Sequence, residues 1–534
     1  MAVGIISTTT ATAAEGRTTW SENRRCIILC FFVSLASLQY GLDLSVINSA
    51  QALKGFLMVF GHPNPNAPNG YGISPSFQQA ITSMMNVGVI VGSFCLETCA
   101  YYLGRRRDFL CAATVGAAAN TILIVSTNKA AIIFGRFLFG VSNGLFLGCT
   151  TIYISEVSPS HLRGSLISFQ QLSICIGTVI GTVVNNRTKN IESRLAYQIP
   201  LFTLYVIPTF CLVMAFVIPE SPRWLMLRGR PELARTHLAR LRGSKFPTEL
   251  MEEELTAIGD AIKAEKEMGL RRWAALQLMF SRAELRRTLL TFAAGTFHGA
   301  SGFPFISSYK TYFFQVAGST DAFIDSILVT TISLLGAIGG VFLNRFIGRR
   351  PMLIGGFSIQ SALMLVIGAT WAAVPGTVTT GKVVVAMVII FQCVFSAGCG
   401  PTPFIVGGEI PSNRLRAMTY GMGNGIGFIA NFLISLTTPY FINPEALNIG
   451  PRVGFIWAAS NFISAIFVFF FLPETHRRTL ENLDEMFYAK IPARKFKSYN
   501  CTGIVSQNTV YREKVTGMEL ENPENRNAGR SRGD

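Results

Sequence analysis

The sequence predicts an all-α membrane protein of twelve transmembrane helices arranged as two pseudo-symmetric six-helix bundles, and three observations predict it. Half of the 534 residues are apolar and only 14% are charged, against about a quarter in an ordinary soluble domain. Apolar stretches recur twelve times, split six and six by a polar segment. Short charged motifs of the first half return in the second at a nearly fixed offset. Since roughly 20 apolar residues cross a bilayer core, a dozen spans use about half of the chain. The net charge of +16 comes without any RNA- or DNA-binding signature, and loop topology accounts for it better than nucleic acid does.

Taken in order, residues 1–25 form a mostly polar tail, and no small-residue cleavage site follows the first apolar stretch, so that stretch is expected to stay as a span. Spans are expected at 26–48, 76–101, 109–128, 130–153, 165–185 and 196–218, which make the N-terminal bundle over 26–218. A charge-rich linker, 219–288, follows, and its ELMEEELTAIGDAIKAEKE run has the composition of a surface helix. The second bundle, 289–472, holds spans at 289–314, 323–344, 352–373, 383–406, 417–441 and 453–472. Residues 473–534 form a tail that is polar after Phe487 and too poor in apolar residues to fold alone.

Basic residues gather in alternate loops: Arg24 and Arg25, Arg105 to Arg107, Arg163, the linker, Arg349 and Arg350, Arg414 and Arg416, Arg477 and Arg478. The positive-inside rule makes these loops and both termini cytoplasmic. The long turn-forming loop at 61–72 is then outside, as is Asn186-Arg187-Thr188, a sequon too near the membrane edge to mark glycosylation on its own. Of eleven cysteines, ten lie in or beside apolar stretches, so neither a disulfide framework nor a zinc site is implied. No phosphate-binding glycine loop or nucleophile motif occurs in the polar segments, which argues against an enzyme and against a cofactor.

Three patterns occur twice. Leu103-Gly104-Arg105-Arg106 returns as Ile347-Gly348-Arg349-Arg350, Glu156 with Arg163 as Glu409 with Arg416, and Pro219-Glu220-Ser221 as Pro473-Glu474-Thr475, at offsets of 244, 253 and 254 residues. Six spans per half give both copies one orientation, a parallel-repeat carrier plan. Carboxylates and guanidiniums at these helix ends suit a gate that pairs when the bundles close and parts when they open; isolated arginines serve equally as orientation signals. Within the first span, Asp43 interrupts an apolar helix, at a cost of ~2.5–3.5 kcal/mol on insertion scales. Arg136, in the fourth span, is its natural partner. A carboxylate that changes protonation between conformations suits proton coupling; a permanent structural bridge is the alternative.

From about Tyr40 to Phe487 the chain resembles the sugar porter family of the major facilitator superfamily. The resemblance rests on Gly135-Arg136, Tyr153-Ile154-Ser155-Glu156, Pro159, Arg163-Gly164, Pro219-Glu220-Ser221-Pro222-Arg223, Gly400-Pro401, Glu409 and Pro473-Glu474-Thr475. Glu409-Ile410-Pro411-Ser412 and Tyr309-Lys310-Thr311-Tyr312-Phe313-Phe314 look most like the fungal maltose and α-glucoside proton symporters. The resemblance implies the major facilitator fold, alternating access, and proton coupling at Asp43 and Arg136. It further implies substrate contacts at Tyr40, Gln171, Thr178, Tyr309, Phe404 and Asn431, and a cytoplasmic gate of Arg105, Arg106, Glu156, Arg163, Glu220, Arg223, Arg349, Arg350, Glu409, Arg416 and Glu474.

Two departures stand out. In the seventh span the family's paired glutamines and asparagine are missing, and the run reads His298-Gly299-Ala300-Ser301-Gly302-Phe303-Pro304. His298 is expected to contact substrate in their place, and Pro304 to kink the span and free a carbonyl for the cavity. In the gate, Tyr101 with Tyr102 and Asn344 with Arg345 stand where the family has aspartates, which predicts a looser cytoplasmic closure with Glu97 as a substitute acid. The expected function is proton-coupled symport of a sugar or related polyol across the plasma membrane. The partners are then a small-molecule substrate, protons and the lipid bilayer, with no nucleic acid. The alternatives are a carrier or exporter of a non-sugar metabolite, such as an organic acid, and a sugar sensor that does not transport.

Overall fold

A computed structural model describes residues 23–499 apart from 65–69, 159, 244–245, 269–271, 317–318, 320, 413–414, 443–446, 448, 477 and 479. Twelve long helical segments follow one another and are numbered here α1 to α12. In the first half these are α1 (Arg24–Ala50), α2 (Pro75–Leu103), α3 (Arg105–Val125), α4 (Lys129–Val157), α5 (Ser160–Thr188) and α6 (Leu195–Val217). In the second they are α7 (Leu285–Ala300 and Phe303–Val316), α8 (Ala322–Phe346), α9 (Arg349–Ala373), α10 (Val378–Glu409), α11 (Arg416–Ile442) and α12 (Gly450–Phe471). Among the described residues, ten have the length and apolar composition to cross a bilayer. Of the other two, α5 and α7, the second is broken into two pieces, and both carry polar side chains toward the opposite half: Thr182 of α5 meets Thr330 of α8, and Thr311 of α7 meets Ser49 of α1.

Local chemistry sets many boundaries. Pro75 opens α2 where a missing N–H costs nothing. Asn128 accepts from the Ala130 N–H at 3.0 Å to cap α4, and Asp321 caps α8 through the N–H groups of Phe323 and Ile324. The chain turns from α2 into α3 at Gly104, whose φ of +86° is open chiefly to glycine.

Without a hydrophobic drive between helices in lipid, small residues let backbones approach closely. A Cβ on Gly41 would lie 2.0 Å from the Ile174 carbonyl oxygen, which locks α1 against α5; a Cβ on Gly295 would lie 2.1 Å from that of Gly423, which does the same for α7 and α11. Gly88 against Phe137 joins α2 to α4, and Gly340 against Ala397 joins α8 to α10. Each contact of the first half thus has its counterpart six helices later. The halves meet through α2 with α11, α5 with α8, and α1 with α7.

The segment between the halves carries four helices, Pro222–Leu227, Pro231–Arg242, Thr248–Met268 and Arg272–Met279. Arg242 pairs with Glu254 and Arg235 with Glu252, which ties the second of these helices to the third. Beyond α12, a helix over Leu480–Tyr488 and a 3-10 turn over Ala493–Ser498 fold back onto the second half. Phe487, Ile491 and Phe496 are buried in one cluster with Leu290, Leu353 and Val468. Composition predicts that the chain after Phe487 cannot fold alone; Ile491 and Phe496 are ordered by docking on the bundle, a tertiary contact that composition does not carry.

Candidate functional site

Asp43 and Arg136 meet at the centre of the first half. Arg136 Nη1 lies 2.5 Å from Asp43 Oδ1, while its Nε donates to the Ile81 carbonyl at 3.1 Å and its Nη2 stands 2.9 Å from Met85 Sδ. Neither side chain is more than 1% exposed. A buried charge left without a partner costs several kcal/mol, so the pair is self-enforcing in this conformation. Asn143 donates to Asp43 Oδ2 at 3.4 Å. The sequence reading missed Asn143, although seven residues after Arg136 is two turns along the same helical face.

Between the halves lies a small cavity. Tyr40, Leu44 and Asn48 of α1, Thr82 and Asn86 of α2, and Arg136 of α4 form one side; His298, Pro304, Ser307 and Ser308 of α7 with Asn431 and Ser435 of α11 form the other. It encloses about 30 Å³, room for a water or two and not for a pyranose, so a substrate fits only when the halves part. His298 Nδ1 stands 3.4 Å from Asn431 Oδ1. The imidazole is boxed by aromatic rings, with centroids 5.1 Å away for Phe303, 5.4 Å for Phe395 and 5.8 Å for Phe404. Tyr309 reaches across to the Thr82 hydroxyl and donates to the Ser435 carbonyl at 3.3 Å.

Of the expected substrate contacts, the structure therefore gathers Tyr40, His298 and Asn431 on the cavity, with Tyr309 and Phe404 beside it. Gln171 and Thr178 stand apart. Gln171 Nε2 faces Cys175 Sγ at 3.8 Å, and Thr178 donates to the Cys175 carbonyl at 2.7 Å, so both satisfy themselves along α5. Asn48, Thr82, Asn86 and Ser435 went unread because short polar side chains are common in spans. Lys310, only 6% exposed within α7, did carry a signal: a lysine inside an apolar run.

The seventh helix breaks one step earlier than Pro304 suggests. Gly302, at φ +81°, makes the turn, and Pro304 is the second residue of the piece that Phe303 opens, in the first turn where its missing N–H is harmless. The carbonyls expected to face the cavity are taken by α12 instead. Ser460 Oγ donates to Ala300 at 2.7 Å and Asn461 Nδ2 to Ser301 at 2.9 Å.

At the end of the bundle that carries the repeated arginines, the two copies build the same lattice. Glu220 accepts from the backbone N–H of Arg105 at 2.9 Å and of Arg106 at 3.2 Å, and Glu474 accepts from those of Arg349 at 3.0 Å and Arg350 at 3.3 Å. A carboxylate thus caps α3 and α9 where free N–H groups and the helix dipole favour it. Arg105 forms a two-pronged pair with Glu156 at 2.6 and 3.0 Å, and Arg349 pairs with Glu409 at 3.0 Å. The sequence spacing suggested pairs that form as the bundles close; the pairs seen lie within each half. Arg106 and Arg350 donate to carbonyls at the ends of α6 and α12. Arg223 lies on the first linker helix. The side chains of Arg163, Arg416 and Glu97 lie outside the described residues.

Among the described residues, side-chain bonds between the halves lie at the cavity, as Asn86 to Ser435, and at the opposite end. Ser49 to Thr311 is 3.1 Å, Asn86 to Ser435 3.0 Å and Thr182 to Thr330 3.0 Å, and Lys189 pairs with Asp321. The far end is shut in this conformation.

A family model described as "Sugar (and other) transporter" matches residues 29–487. The chain is 27% identical over 474 residues to a high glucose sensor of Saccharomyces cerevisiae, covering 87% of this chain but 61% of the sensor's length. It is 29% identical over 474 residues to a maltose permease of the same organism, covering 87% and 76% of the two chains. Among solved structures, the proton:xylose symporter XylE bound to 6-bromo-6-deoxy-D-glucose shares the fold with a TM-score of 0.69 at 22% identity, over 87% of this chain and all of that one. A match across most of the chain places the protein in the "Sugar (and other) transporter" family, with two repeated six-helix halves around a polar cavity in the multi-pass membrane fold it shares with the solved symporter.

Proposed function

We propose that this protein is a secondary active carrier of a sugar or related polyol, driven by protons and working by alternating access. The observation that carries the reading is the fully buried Asp43–Arg136 pair, of which Arg136 also lines the cavity between the halves. A proton on Asp43 neutralises the acid, frees the guanidinium and changes the cavity wall, so proton binding and substrate occlusion become one event. The hydroxyl and amide groups of Asn48, Thr82, Asn86, Ser307 and Asn431 suit a polyhydroxylated solute. On this reading the arginine-bearing end faces the cytoplasm by charge bias, both termini lie there, the membrane is the plasma membrane, and the end shut in this conformation is the outer one. Residues 26–218 and 289–472 are the moving bodies.

A second reading has its own observation. His298 replaces an amide-bearing wall and sits in an aromatic box, which suits a ring-bearing or acidic metabolite as well as a sugar. Uptake of radiolabelled glucose, maltose, polyols and small organic acids into a transport-deficient host, with and without a protonophore, tests both. Protonophore-sensitive saccharide accumulation is expected. Accumulation of organic acids alone selects the second reading, and binding without uptake selects a sensor.

A further inference from the structure

A groove of about 730 Å³ lies outside the central cavity, at the arginine-bearing end of the first half. Its lining is part apolar and part basic. Leu103, Leu110 and Phe216, from the ends of α2, α3 and α6, give an apolar wall at the level where spans leave the bilayer. The same lining carries the guanidinium groups of Arg106, Arg107, Arg228 and Arg230, with Glu220 as its one acid among the described residues. Glu220 is already committed, since its carboxylate accepts from backbone N–H groups of Arg105, Arg106 and Ser221. The groove therefore holds an excess of positive charge.

Two of those guanidiniums are held in place. Arg106 rests 5.8 Å from the centre of the Phe216 ring. Arg228 lies between Tyr102 and Trp224, 6.0 and 5.6 Å from their ring centres, and its Nη2 donates to the Tyr102 carbonyl at 3.2 Å. Tyrosine and tryptophan at this depth are characteristic of a membrane–water interface, and fixed guanidinium forks match phosphate geometry. The second half treats the corresponding place differently. There Arg494, from the tail, stacks on Phe469 and Phe470 at 4.6 and 4.9 Å, so the tail sets a cation of its own over those rings.

We propose that this groove is a binding site for the phosphate-bearing headgroup of an anionic phospholipid, with one acyl chain along Leu103, Leu110 and Phe216. The arginines hold the phosphate, and the lipid bridges the ends of α2, α3 and α6 to the first linker helix. Basic pockets at the cytoplasmic ends of helices recognise anionic headgroups by this chemistry. A soluble phosphate satisfies the arginines but leaves the apolar wall exposed, which makes the lipid the better fit. The proposal stands whether or not the carrier is proton-driven.

The test is lipid retention by the purified full-length protein, measured by native mass spectrometry after incubation with phosphatidylserine or phosphatidylcholine. Wild type is expected to keep one phosphatidylserine, to release phosphatidylcholine, and to hold its lipid against 10-fold molar excess inorganic phosphate. The double variant Arg228→Gln/Arg230→Gln is expected to lose retention about tenfold, and Arg228→Lys/Arg230→Lys, which keeps the charge but not the forks, to lose part of it while still preferring phosphatidylserine to phosphatidylcholine, with thermal midpoints unchanged in both. Equal retention of the two lipids, or unchanged retention in the glutamine variant, overturns the site. Displacement by inorganic phosphate overturns the lipid and leaves a soluble-anion site. If the glutamine variant unfolds, the lysine variant decides: loss of phosphatidylserine selectivity there overturns the proposal as well.

Discussion

Asp43 and Arg136 shelter each other from an apolar surrounding, and removing the negative partner tests what the pair does. Asp43→Asn keeps the shape and the hydrogen bonding but cannot ionise. It is expected to abolish concentrative uptake while solute exchange across the membrane continues; a variant that still accumulates solute would show a purely structural bridge. Asn431→Ala removes the contact to His298 and is expected to weaken substrate binding about tenfold, ~1.4 kcal/mol, read as a rise in half-saturation concentration with little change in maximal rate. The charged pair was legible in the sequence because an acid and an arginine inside apolar runs are conspicuous. Asn143 and the small polar residues of α1 and α2 were not, because nothing in composition separates a cavity-lining hydroxyl or amide from one satisfied by its own helix. Gln171 shows the converse: a conspicuous amide that bonds to its own α5 in this conformation.

At the scale of elements, close backbone crossings carry the fold. Gly41 and Gly177 admit no side chain where α1 crosses α5. Gly41→Val is expected to lower the thermal midpoint of the purified protein by several degrees, in line with an overpacking cost of about 1–3 kcal/mol, whereas substitution at Gly425, which has open space around it, is expected to leave it unchanged. The spans themselves were legible from hydropathy, but the break in α7 was placed at Pro304 because proline is the visible helix breaker, while Gly302 makes the turn through a positive φ that sequence does not display. Another element-scale prediction concerns the linker. His237 Nδ1 accepts the Glu220 backbone N–H at 2.8 Å, so the fold requires the neutral ring. Burial, with Arg240 and Arg106 nearby, lowers its pKa from the ordinary 6.5. The folded state thus binds fewer protons than the unfolded one, and stability falls as pH drops below about 6.5. Thermal midpoints measured between pH 7.5 and 5.5 are expected to decline less in His237→Gln than in wild type; parallel declines would remove this linkage.

For the whole molecule, two halves with matching crossings meet around a cavity and are joined at the end away from the repeated arginines. The repeat was legible because three charged motifs recur at nearly one offset. Which end is shut was not, since one sequence must support both arrangements of its halves. Thr182 and Thr330 face each other at 3.0 Å across the shut end. In the double variant Thr182→Cys/Thr330→Cys, oxidation is expected to stop transport and reduction to restore it; transport that continues through an intact crosslink would mean this end does not need to open. The account rests most directly on energy coupling in the pure protein. Proteoliposomes carrying the wild-type chain, with acid outside and a panel of labelled saccharides and polyols, are predicted to concentrate at least one solute above equilibrium and to lose the gradient on addition of a protonophore. Ligand binding with no solute movement under any imposed pH difference would contradict it, and would make the protein a receptor built on a carrier's fold.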